Sequence, residues 1–226
     1  MPAHIEVNQK NKARSLKNYP LTVRVLAKII SYVFHPIFIP VYLSWVIVET
    51  QSYLFTAFNT WERTIFVARF GVMYLFFPLV SVLLMKALGF ISSIKLKTQR
   101  DRIIPYVVCM IYYWWMWYVL HNQPEFPKEC VTLSLAIFIA SVGGLMANIN
   151  MKISMHAIAA GIMASFVMLI GFSQDINFSV YISCSILLAG AICTARLIDG
   201  DHSSREIYWG LFTGIASLLI ASEFTS

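Results

Sequence analysis

Seven stretches of this chain are long, apolar and nearly free of charge: roughly residues 26–49, 65–90, 103–121, 131–149, 155–172, 178–196 and 207–222. A segment of about 20 such residues, wound as a helix, matches the hydrocarbon thickness of a bilayer, where only helices and closed barrels satisfy their own backbone groups. The last stretch is short for a full crossing, so the pattern predicts an all-α, polytopic transmembrane helix bundle of about six to seven spans. Composition agrees, since 58% of residues are hydrophobic and 12% charged, against about a quarter charged in soluble domains. The intervening loops are too small for a second domain. The chain therefore divides into a polar, basic tail over residues 1–22 and a single transmembrane domain over 23–226. The tail lacks the apolar core and small-residue cleavage site of a signal peptide.

The net charge of +6 sits largely in Lys10, Lys12, Arg14, Lys17, Arg24 and Lys28 and in the loop carrying Lys95, Lys97, Arg100 and Arg102. These positions flank membrane segments, which explains the charge better than nucleic-acid binding does. Cys109, Cys130, Cys184 and Cys193 form no ligand-spaced or paired motif, so neither a zinc site nor a disulfide framework is implied.

Three polar clusters interrupt the apolar pattern. The first, Lys95 to Arg102, follows the second candidate span; the second, Asn150-Met-Lys152-Ile-Ser154-Met-His156, follows the fourth; the third, Arg196 to Glu206, follows the sixth. An even number of crossings separates them, so all three reach the same membrane face. Charged groups at a helix centre cost on the order of 2.5–3.5 kcal/mol, less near the ends, and their clustering marks a site. Lys95 and Arg102 are two helical turns apart and would share a face. Ser154 is placed as the N-cap of the fifth span, leaving free N–H groups beyond it, a setting that suits anions. His202 and Glu206 are four apart, so on a helix the carboxylate would hold the imidazole Nδ1–H and leave Nε2 free to attack. Asp199, Asp201 and Arg205 are read as ordinary residues of a helix start.

Together these residues resemble the type 2 phosphatidic acid phosphatase superfamily, whose motifs are K-x6-R-P, P-S-G-H and S-R-x5-H-x3-D. The counterparts are Lys95-x6-Arg102, Ser154-Met-His156 and Arg196-x5-His202-x3-Glu206, in that order and with both internal spacings kept. Five positions depart: the proline comes only at Pro105, Ile153 and Met155 replace Pro and Gly of the second motif, Ala195 replaces Ser, and Glu206 replaces Asp. The resemblance implies a lipid phosphatase acting through a phosphohistidine, with no metal or other cofactor. In it His202 is the nucleophile, Glu206 orients it and His156 protonates the leaving oxygen. Lys95, Arg102, Arg196 and Ser154 hold the phosphoryl oxygens. The partners are then a phosphorylated lipid substrate and the surrounding membrane lipids. The alternative is a non-enzymatic membrane protein that uses the same cations to bind or transport an anionic head group.

Other features carry less. The aromatic run Tyr112 to Tyr118 reads as an interfacial belt, and His35-Pro36 as a kink whose imidazole bonds to freed backbone. Gly210 and Gly214 suggest close helix packing. On sidedness, the basic tail and the acidic opposite loops place the three clusters in the cytoplasm, whereas the resemblance implies a site on the outer, periplasmic face of a bacterial inner membrane. The expectation adopted is the outward one.

Overall fold

The computed structural model describes residues 19–94, 99–173 and 177–225. It is an all-α bundle, and six of its helices are long and apolar enough to cross a membrane. We number the helices α1 (Leu21–Val33), α2 (Ile39–Thr50), α3 (Thr60–Ala87), α4 (Gln99–His121), α5 (Lys128–Asn150), α6 (Met155–Phe172), α7 (Ser179–Ile198) and α8 (Ser204–Thr225). The protein is an integral membrane protein.

The first candidate span, 26–49, is corrected by the structure. It breaks at 34–38 into α1 and α2, each too short to cross about 30 Å of hydrocarbon at 1.5 Å per residue. Pro36 has no N–H to return to the Tyr32 carbonyl and pushes His35 out of helical geometry. Pro40 then falls in the first turn of α2, where a missing N–H costs nothing. The short last candidate, in contrast, is extended to the 22 residues of α8.

Proline also shapes α3 and α4. Pro78 cannot donate to the Tyr74 carbonyl, and the preceding turns widen into a π-helical segment, Gly71–Phe76. Pro105 lies inside α4, nearly two turns from its start. A capping box formed by Asn59 and Glu62 begins α3.

α8 packs against α5 and α6, α6 also packs against α7, α4 lies along α5, and α1 lies along α7. Small residues set the α6–α8 spacing. A Cβ added to Gly214 would collide with the Ile158 carbonyl, and one added to Gly161 with the Leu211 carbonyl; at Gly210 it would come within 2.8 Å of the Ser154 carbonyl. Backbone therefore meets backbone along this seam, and it brings the start of α6 beside the start of α8, where Ser154 N–H donates to the Glu206 carbonyl at 3.3 Å. The aromatic run on α4 divides by face: Trp114, Trp115 and Tyr118 are exposed, while Tyr113 and Trp117 pack on the core.

Candidate active site

The start of α4, the α5–α6 connection and the α7–α8 connection meet at one end of the bundle, so the three polar clusters converge through their described residues. Lys95 lies outside the described residues. Arg102 is buried and donates from Nη1 to the Ile153 carbonyl at 3.0 Å, which ties α4 to the segment before α6. Ser154 caps α6, its Oγ accepting from Ala157 N–H at 3.4 Å. It is fully buried, and its side chain faces its own helix start.

His202 and Glu206 meet, but not as two residues one turn apart on a helix. α8 begins only at Ser204, so His202 lies in the connection. Gly200, at φ +64°, reverses the chain after α7 in the left-handed conformation that glycine adopts without strain. Ser203 then forms a capping box with Glu206: Ser203 N–H donates to Glu206 Oε2 at 2.8 Å, and Glu206 N–H to Ser203 Oγ at 3.4 Å. The same Oε2 lies 3.3 Å from His202 Nδ1, and the Lys152 carbonyl lies 3.1 Å from that nitrogen. A carbonyl only accepts, so Nδ1 carries the proton and the neutral ring keeps its lone pair on Nε2. Burial holds the His202 pKa below its ordinary value, against the opposing pull of the Glu206 hydrogen bond.

Arg196 is held more tightly than its sequence suggests. Its Nη1 donates to Asp199 Oδ2 at 3.0 Å and to Ser31 Oγ at 3.3 Å, and its Nη2 to Asp201 Oδ2 at 2.8 Å. Both aspartates, read from sequence as ordinary helix-start residues, thus fix the guanidinium. The i,i+3 spacing of Arg196 and Asp199 was a signal for the first. Arg196 Nε is buried and has no hydrogen-bond partner among the described residues.

His156, in the first turn of α6, places Nε2 3.1 Å from the Ser31 carbonyl, so Nε2 carries the proton and Nδ1 is the acceptor. Its ring stands edge-to-face on His35, with centroids 5.2 Å apart. His35 Nδ1 accepts from Ile37 N–H at 3.5 Å, a bond to the backbone freed by Pro36. Neither Ser31 nor His35 belongs to the sequence motifs, and nothing local in the sequence marks Ser31.

These groups form the polar end of a cavity of about 450 Å³. Arg102, Arg196, His35, His156 and His202 line it, whereas Asp199, Asp201 and Glu206 stand behind them. The rest of the wall is largely apolar, with Leu43, Leu79, Cys109, Ile137 and Ile162 among its residues, and Met155 borders the polar end. Along α4 the lining runs from Arg102 to Tyr113, about 16 Å at 1.5 Å per residue. Two guanidiniums and three imidazoles over an apolar shaft suit an amphiphile with an anionic head. Comparison with protein-family models, with curated proteins and with solved structures finds no match.

Proposed function

We propose that the protein is a membrane-embedded phosphatase that hydrolyses the phosphate monoester or diphosphate of a lipid through a phosphohistidine. One observation carries the reading: the guanidiniums of Arg102 and Arg196 and the imidazole of His202, whose Nε2 bears the lone pair, line one otherwise largely apolar cavity. Guanidiniums bind phosphoryl oxygens through charge-assisted hydrogen bonds, and a phosphate is the anion this pairing of cations and imidazole suits.

In the first step the His202 Nε2 lone pair attacks phosphorus and the bond to the leaving oxygen breaks, that oxygen taking its electron pair and the Nδ1 proton of His156, which enters the step as an imidazolium with its Nε2–H still on the Ser31 carbonyl. Glu206 Oε2 and the Lys152 carbonyl keep the Nδ1 proton in place and stabilise the ring as it becomes positive. In the second step His156 takes a proton from water as the water attacks phosphorus. The P–N bond breaks, its electrons return to Nε2, and inorganic phosphate leaves. Phosphoryl transfer needs mainly positioning and neutralisation of the equatorial oxygens, which Arg102 and Arg196 supply, with Lys95 assigned by the sequence motif. The apolar shaft takes part of the lipid tail.

The second reading, a binder or transporter of an anionic head group, would use the same cations without needing an oriented imidazole. Release of inorganic phosphate from a panel of lipid phosphates separates the two. The reading predicts release that persists in EDTA and is blocked by vanadate, a mimic of five-coordinate phosphorus. Stoichiometric binding of every lipid without phosphate release would leave the binder; activity lost in EDTA and restored by magnesium would remove the mechanism. The outward, periplasmic orientation rests on the family resemblance and opposes the charge distribution of the loops.

A further inference from the structure

We infer that Ser31, on α1 and outside every sequence motif, is a positioning residue of this site, holding both the anion-binding arginine and the second histidine. It is buried in the last turn of α1. Its hydroxyl accepts from Arg196 Nη1 at 3.3 Å and donates to Asp199 Oδ2 at 3.2 Å. Its carbonyl takes the Nε2–H of His156 at 3.1 Å. One residue thereby links α1, α6 and α7.

Each contact has a chemical consequence. With Nη1 shared between Ser31 and Asp199, and Nη2 on Asp201, the guanidinium is held in one orientation on the cavity wall. Without the hydroxyl, the guanidinium keeps only its two carboxylate partners and loses its tie to α1, as does Asp199. With Nε2–H committed to a carbonyl, His156 exchanges its catalytic proton at Nδ1; the other tautomer would break the contact to α1. A neighbouring carbonyl fixing an imidazole in this way is a common means of setting which nitrogen reacts. α1 therefore contributes to the site rather than serving as a peripheral anchor: Tyr32, next to Ser31, lines the cavity, as does His35 just beyond the helix end.

The catalytic half of this inference rests on the phosphatase reading, so the test uses readouts that do not need turnover. Vanadate affinity is measured for the wild-type, Ser31→Ala and Ser31→Thr proteins in nanodiscs, and the His156 tautomer is read by nitrogen NMR with His156→Gln for assignment. Loss of a hydrogen bond to a charged group predicts vanadate binding weakened on the order of 10-fold or more in Ser31→Ala. Ser31→Thr, which keeps the hydroxyl, should restore it, and His156 should carry its proton on Nε2. Wild-type affinity in a folded Ser31→Ala protein, or a proton on Nδ1 of neutral His156, overturns the inference. If Ser31→Ala fails to fold, the tautomer and the affinity of Ser31→Thr decide it: Nε2–H with near wild-type affinity supports it, and either failing defeats it. A wild-type protein that binds vanadate in this pattern yet hydrolyses no lipid phosphate would defeat the phosphatase reading and leave Ser31 in place.

Discussion

Replacing Gly214 by alanine tests whether the α6–α8 seam builds the site. In an open helix position, Gly→Ala stabilises by about 1 kcal/mol, because alanine loses less backbone entropy. At Gly214 the new Cβ would collide with the Ile158 carbonyl and lie 2.9 Å from Ile162 N. Both neighbours are backbone, so no rotamer change relieves them, and α6 and α8 must move apart. Overpacking of this kind costs about 1–3 kcal/mol. The expected net effect is a loss of up to about 2 kcal/mol, together with weakened activity, since the seam holds Ser154 N–H on the Glu206 carbonyl. Gly190→Ala on α7 is the control, because nothing lies within 4 Å of its added Cβ. Reversible unfolding in mixed micelles, followed by tryptophan fluorescence, should show Gly190→Ala at least as stable as wild type and Gly214→Ala less stable. Equal stability of the two variants would refute the claim that backbone contact sets the helix spacing.

Two further outcomes follow from the site. Glu206→Gln should cost far more activity than Glu206→Asp, and the acidic limb of its kcat/KM profile should move to lower pH, because removing the carboxylate removes the interaction that raises the His202 pKa; an unmoved limb would detach Glu206 from His202. As the folded His202 pKa lies below the unfolded value of about 6.5, its contribution to stability is present above that pH and is lost as pH falls through the folded pKa. On sidedness, Gln123→Cys in a cysteine-free background should stay protected from an impermeant thiol reagent until lysis if the site faces outward, and labelling in intact cells would reverse that orientation.

The sequence carried the architecture because hydrocarbon thickness and backbone satisfaction act locally along the chain. Apolar run lengths gave the spans, Ser154 announced the start of α6, and Gly210 and Gly214 announced a close contact. The break at Pro36 was readable as a kink, but whether α1 and α2 together formed one span depended on packing against α7. His202 and Glu206 were legible as a spacing, yet their contact comes from a capping box and a left-handed Gly200, not from a helical turn. Ser31 was not legible at all, since its contacts to Arg196 and Asp199 span 165 and 168 residues. Tyr113 was hidden within an aromatic run whose periodicity does not tell lipid from cavity.

The most direct test of the central claim is to trap the covalent intermediate. Purified protein in lipid nanodiscs, given a radiolabelled lipid phosphate in EDTA and quenched rapidly in alkali, should carry phosphate that is acid-labile and alkali-stable, mapping by peptide analysis to His202. His202→Ala should be folded, unlabelled and inactive. Phosphate release at the wild-type rate by His202→Ala, or a label on any other residue, would contradict the account.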